Sequence, residues 1–278
     1  MNTFLKTTIV AYTLSLTGCL SIEPPLITQQ SDEIYKFTKE ASFALNVARM
    51  SRKTAGLSDV SLPENSQFKS NSALVGTEYA ISFLTGGLTN LAGSLGAQSK
   101  ADKAFNWKPM LIFTAELDNN NIDSSTVNVI ENELSKTFKN MGSTFVGLAR
   151  SSDSHRDDNF AIFDKGEACD KSELHKVSYE QILAGGLFKD ILPKYDQSCF
   201  TSVSIEVTGK VKIEDKIQDV IVVIFQSGYR RVTDITSATS GFALVPESYG
   251  RWGSGIRYKV GAPYAVSNSE IHFFVKEN

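Results

Sequence analysis

Histidine and cysteine are scarce in this chain, at three of each among 278 residues. No Cys-x-x-Cys, His-x-x-x-His or His-Glu-x-x-His spacing occurs, which argues against thiol redox centres and the common zinc hydrolases. A Gly-x-Ser-x-Gly nucleophile elbow is missing too, since Gly253-Ser254-Gly255 lacks the spacing. No glycine motif that cradles phosphate is present. The expectation is a protein that is not an enzyme, with no catalytic residue, no metal and no cofactor. Charge of one sign is also missing. Lys+Arg 28 against Asp+Glu 31 gives a net −3 with no local basic patch, so nucleic acid is not an expected partner. Apolar runs long enough to span a bilayer are too few for a polytopic membrane protein. What remains, 41% hydrophobic and 21% charged residues, is the balance of an ordinary globular protein.

The first thirty residues are more specific. Lys6 supplies one positive charge, Ile9 to Leu16 is a short, mostly apolar core, and Leu16-Thr17-Gly18-Cys19 follows. Charge, core and small residues in that order form a secretory signal peptide, too short to be retained as a spanning helix. The tetrad resembles the lipobox of bacterial lipoprotein precursors, a resemblance confined to this targeting segment. It implies that residues 1–18 are removed and that Cys19 becomes an acylated first residue. Membrane lipid would then be a partner through that cysteine, since two or more acyl chains anchor stably. Leu20 stands where the family's inner-membrane retention signal is usually Asp, so in a Gram-negative host the resemblance implies the outer membrane. Pro24-Pro25 biases the following stretch to extended backbone, and residues 19–31 are expected to be a tether. A dozen such residues would span about 40 Å.

Past Cys19 only Cys169 and Cys199 remain, and an exported protein meets an oxidising space. A structural disulfide between them is expected, with two free buried thiols as the alternative.

Residues 32–278 are read as one α+β domain, with subdivision considered near 100 and 200. Ser31 as N-cap, then Ile34, Phe37, Ala41, Ala44, Leu45 and Ala48 at helical spacing, predict a helix from Asp32 to Met50. Ser72 to Gln98 carries one charge, Glu78, and five glycines among its leucines. It is read as a buried core helix, or two short ones broken at Gly86-Gly87, with a subunit interface or a membrane-entering hairpin as the other readings. Met110 to Ala115 predicts a buried strand. A helix capped by Asp123 or Ser124 and stopped by Gly142 follows, then a strand from Ser143 to Leu148, together a βαβ unit with parallel strands. Ser151 to Asp170 is read as loop and Ser178 to Leu192 as a helix. Val203, Ile205, Val207, Val211 and Ile213 alternate with polar residues, Glu214 to Lys216 turns, and Val220 to Phe225 is wholly apolar, a C-terminal antiparallel hairpin. Ile271, Phe273 and Val275 form a last strand. The expected whole is N-terminal helices packed on a mixed β-sheet.

Two polar constellations stand out. Asp153-Ser154-His155-Arg156-Asp157-Asp158 is dense in metal-ligating types but fits no ligand spacing, and is read as a solvated loop. His175 is expected on a polar surface, and His272 on the solvent side of the last strand. Tyr249, Arg251, Trp252, Arg257 and Tyr258, set among glycines, are the residue types that dominate binding hot spots. They form the candidate binding loop, with packing against the sheet as the alternative. The functional expectation is an anchored envelope protein with protein partners, in homo-oligomeric form or as part of a secretion, conjugation or pilus-type assembly. A glycan- or peptide-binding surface lipoprotein, or an envelope hydrolase, are the alternatives.

Overall fold

A computed structural model of the chain describes residues 27–29, 33–52, 58–61, 108–150, 159–170, 198–226, 229–245 and 264–276. Its centre is a ten-stranded sheet flanked by helices on both faces, an α+β architecture as expected.

The strands are β1 (Thr28–Gln29), β2 (Ile34–Lys36), β4 (Met110–Ala115), β5 (Ser143–Arg150), β6 (Asn159–Gly166), β7 (Cys199–Ile213), β8 (Lys216–Phe225), β9 (Phe242–Val245), β10 (Tyr264–Ser267) and β11 (Glu270–Phe273). A separate pair, β3 (Val60–Ser61) and β12 (Val275–Lys276), is parallel. Across the main sheet the order is β11-β10-β9-β4-β8-β7-β6-β5, with every neighbouring pair antiparallel. β1 and β2 lie parallel to β7, which makes the sheet mixed.

The centre reads as its sequence does. All six residues from Val220 to Phe225 are buried because both faces are covered. Ile221, Val223 and Phe225 join Leu111 and Phe113 on one face, under Ile130, Leu134 and Phe138 of α2 (Ile122–Asn140) and Val232 and Ile235 of α4 (Tyr229–Ala238). Val220, Val222 and Ile224 join Met110 and Ile112 on the other, under Ala44, Leu45, Val47, Ala48 and Met50 of α1 (Phe43–Ser51). A short α3 (Glu167–Asp170) follows β6.

Several expectations need correction. The strand–helix–strand unit β4–α2–β5 exists, and four antiparallel steps leave β4 and β5 running the same way. They are not neighbours, because β8, β7 and β6 stand between them. The segment read as loop before Asp170 contains β6, with Phe160, Ala161, Ile162 and Phe163 buried. The first helix starts at Phe43, not at Asp32, and its cap is Ser42, whose hydroxyl accepts from the Leu45 amide at 3.0 Å. Ile34 to Lys36 shared the helical spacing but is taken up by β7. That strand is fifteen residues long, and β6 covers its edge only from Cys199 to Ser204. Backbone groups beyond Ser204 would otherwise have no ladder partner.

One side chain organises the turn into α1. Asn46 is buried, and its carbonyl oxygen accepts from the Tyr35 hydroxyl (2.8 Å) and the Thr38 amide (3.0 Å). Its amide nitrogen donates to the carbonyls of Thr38, Ala41 and Ser42 at 2.9 to 3.2 Å. Asp59 closes the same turn, accepting from the Ser42 amide at 2.6 Å and the Ser42 hydroxyl at 2.5 Å. Asn46→Ala would leave several of these groups buried and unpaired, so a loss of about 2–4 kcal/mol is expected, read as a lower urea midpoint.

Candidate functional site

The first described residues of the chain lie along the edge of β7. Ile27 is already buried in the core beneath α2 and α4. Thr28 and Gln29 pair with Glu206 and Val207, and Ile34, Tyr35 and Lys36 pair with Lys210, Val211 and Lys212. Between these two pairings β7 carries a bulge at Thr208, since Val207 faces Ile221 and Gly209 faces Val220. The extra residue reverses the side-chain alternation. Val207 therefore packs toward α2 and α4, while Val211 packs toward α1.

The bulge is also where α1 is fastened. The Thr208 hydroxyl donates to the Met50 carbonyl at 3.1 Å. Gly209 has φ +150°, and a Cβ there would sit 3.1 Å from the Arg52 guanidinium. Arg52 follows the helix in the left-handed region, φ 55°. Its guanidinium donates to the Glu33 carbonyl at 3.1 Å and pairs with the Glu33 carboxylate at 3.2 Å. That same carbonyl accepts from the Lys210 amide at 3.2 Å. The Glu33 carboxylate is largely exposed, so its ion pair contributes little; the backbone bonds and the packed bulge carry the attachment. Helix end, bulge and entering strand form one unit.

The opposite end of β7 holds the cysteines. Cys169, in α3, and Cys199, the first residue of β7, lie at disulfide distance with Cα atoms 5.7 Å apart, as expected from the sequence. Asp164 stands opposite Cys199, and Thr201 opposite Ile162, so both face the same side of the sheet as the disulfide. Asp164, Ser143, Ser198 and Thr201 are all buried here. The hydroxyls of Ser143, Ser198 and Thr201 have no hydrogen-bond partner among the described residues. This is also the end at which β4, β7 and β10 begin, so the stretches 62–107, 171–197 and 246–263 each rejoin the sheet here.

Cys19 lies outside the described residues, as do the candidate binding residues Tyr249, Arg251, Trp252, Arg257 and Tyr258, the 153–158 cluster, His175, and the Ser72 to Gln98 and Ser178 to Leu192 segments. The fold does fix how the candidate loop is attached. It connects β9 to β10, which are antiparallel neighbours paired as far as Val245 and Tyr264. His272 does not face solvent as its alternation predicted. It stands opposite Ala265 on the α1 side, with its ring 4.3 Å from that of Phe43 and its Nε2 4.0 Å from the Glu270 carboxylate. Alternation misled because α1 covers this face of the edge strand as well. The N-terminal seat was not anticipated, and Ile34-Tyr35-Lys36 carries no polar–apolar alternation that would have signalled it.

Among the described residues, no group of three His, Cys, Asp or Glu side chains is placed to hold a metal ion. No helix among them is long and apolar enough to cross a membrane. No protein-family model, curated protein or solved structure matches the chain.

Two measurements probe these ends. Thr201→Val removes a buried hydroxyl without a partner among the described residues while keeping its shape, and a gain of about 1 kcal/mol in urea unfolding is expected. At the β10 end of the sheet, burial pushes the Tyr264 phenol up from 10.0 to about 12. The unfolded chain therefore releases this proton at lower pH than the native one. Stability is fully present below pH 10 and falls as pH rises from there toward 12. Tyr264→Phe is expected to flatten that part of the urea-midpoint profile relative to the parent protein.

Proposed function

We propose that the protein is an envelope lipoprotein, anchored through acylated Cys19, that acts through protein contacts as a subunit or accessory of an envelope-spanning assembly. The observation that supports this reading is the Leu16-Thr17-Gly18-Cys19 tetrad at the end of a short signal-peptide pattern, followed eight residues later by Ile27 buried in the core. Eight Cα steps separate Cys19 from Ile27, and at up to ~3.6 Å each they reach at most about 29 Å. That is shorter than the tether inferred when residues through 31 counted as free chain. A domain of about 250 residues has a diameter on the order of 45 Å, so this leash keeps it beside the bilayer.

Partners would meet the end of the sheet where stretches 62–107, 171–197 and 246–263 rejoin it. These include the apolar, glycine-rich Ser72 to Gln98 and the aromatic and arginine residues from Tyr249 to Tyr258. The second reading, a lipoprotein that binds glycan or peptide, rests on that last loop. Its attachment as a β9–β10 hairpin connection gives it the rigid base a recognition loop needs. Trp252→Ala with Arg251→Ala would abolish ligand capture under the second reading.

Cys19→Ser is expected to prevent fatty-acid incorporation and to move the protein from the membrane to the aqueous fraction with its fold intact. Metabolic labelling and fractionation read both. A labelled Cys19→Ser protein, or a parent protein without label, contradicts the anchor.

A further inference from the structure

The remaining large feature is a mixed patch at the free end of the β2–β7–β8 ribbon, on the side away from α1. Tyr35 and Val211 pair and both pack toward α1. Their strand neighbours Ile34, Lys36, Lys210 and Lys212 therefore turn to the opposite side. Lys212 stands opposite Ile217 and Lys210 opposite Asp219, so Ile217 joins the same side. Ile34 and Ile217 are the only large hydrophobic residues exposed among those described, at 41% and 49%. Two bare isoleucines thus sit among three lysines on one face of one ribbon. Two acidic groups of this region are engaged elsewhere, and a third, in the turn, lies at ion-pair distance from one of the patch lysines. Asp219 is buried and accepts from the Leu117 amide at 3.1 Å, and Glu33 pairs with Arg52. Glu214 and Asp215 form the hairpin turn, with Asp215 3.5 Å from Lys212.

We infer that this face rests on the anionic phospholipid headgroups of the bilayer that holds Cys19, an inference that rests on the anchor reading above. Three observations carry it. Lysines with apolar side chains between them match a charged surface over an acyl boundary, and each basic residue near such a surface contributes about 1 kcal/mol. The distance fits: Ile34 is seven residues beyond Ile27, at most about 25 Å, and the leash reaches about 29 Å. The patch also lies at the end of β7 opposite the disulfide. Seated on lipid, the domain would turn the stretches at its far end toward partners.

Lysine acetylation of the purified acylated protein, read by mass spectrometry, tests this. Protein is bound to vesicles of neutral phosphatidylcholine or of phosphatidylcholine with phosphatidylglycerol. Lys36 and Lys212 are expected to react about fivefold more slowly on the anionic vesicles, an effect lost in about 0.5 M salt. Lys139 and Lys165, exposed at the other end of the sheet, serve as references and keep one rate on both. Ile34→Glu with Ile217→Glu keeps both reporter lysines and is expected to equalise their rates. Equal rates for the parent protein on both vesicles, or protection that survives the double substitution, overturns the inference while the anchor stands. Residue 19 without an acyl group in the same spectra would instead remove the anchor reading, and this inference with it.

Discussion

A strand longer than its neighbour sets the terms for this molecule. β7 runs fifteen residues, β8 accompanies it along one edge, and β6 leaves the other edge at Ser204. Backbone groups of a long, flat edge are costly to bury and hazardous to expose. The chain covers them with Thr28–Gln29 and Ile34–Lys36, laid parallel in two short pieces. A bulge at Thr208 lets the strand turn its apolar side from the α2–α4 core to the α1 core. The same bulge gives α1 a place to be fastened, through Met50 and Arg52. Sheet completion and helix docking thus meet at one place, the bulge at Thr208.

Legibility in the sequence followed how far each element is decided by its own residues. Met110 to Ala115, Val220 to Phe225 and the helix ended by Gly142 are set by local pattern, and all three are found. The helix starts at Ile122 and not one residue after Asp123, a boundary shift of the size caps permit, with Gly142 at φ 70° as its stop. The N-terminal helix was misplaced because Ile34, Phe37 and Ala41 fit helical spacing by coincidence. The competing demand, an unpaired edge nearly two hundred residues away, is invisible locally. β6 was missed for a similar reason: Phe160 to Phe163 is too short a run to outweigh the polar residues around it until β5 and β7 are in place. The disulfide was legible because only two cysteines remained after the first was assigned to lipid.

The lysine face shows the same limit from another side. The lysines of this face form no single cluster in the linear sequence, and net charge is slightly negative. Lys36 and the pair Lys210 and Lys212 meet only because β2 lies in register against β7. Ile217 completes the group across the hairpin. Local chemistry at such a surface is a product of register, and register is a product of the edge that needed covering.

The central claim is that Thr28–Gln29 and Ile34–Lys36 belong to the folded sheet and are not loose tether. Amide hydrogen exchange of the mature protein, resolved to residues 28–36, tests it most directly. Ile34, Tyr35 and Lys36 are expected to exchange as slowly as Val211 and Lys212, which they accompany in the ladder, and to open with them in a single cooperative step. Exchange of 28–36 at the rate of free chain, while β7 stays protected, would contradict the account.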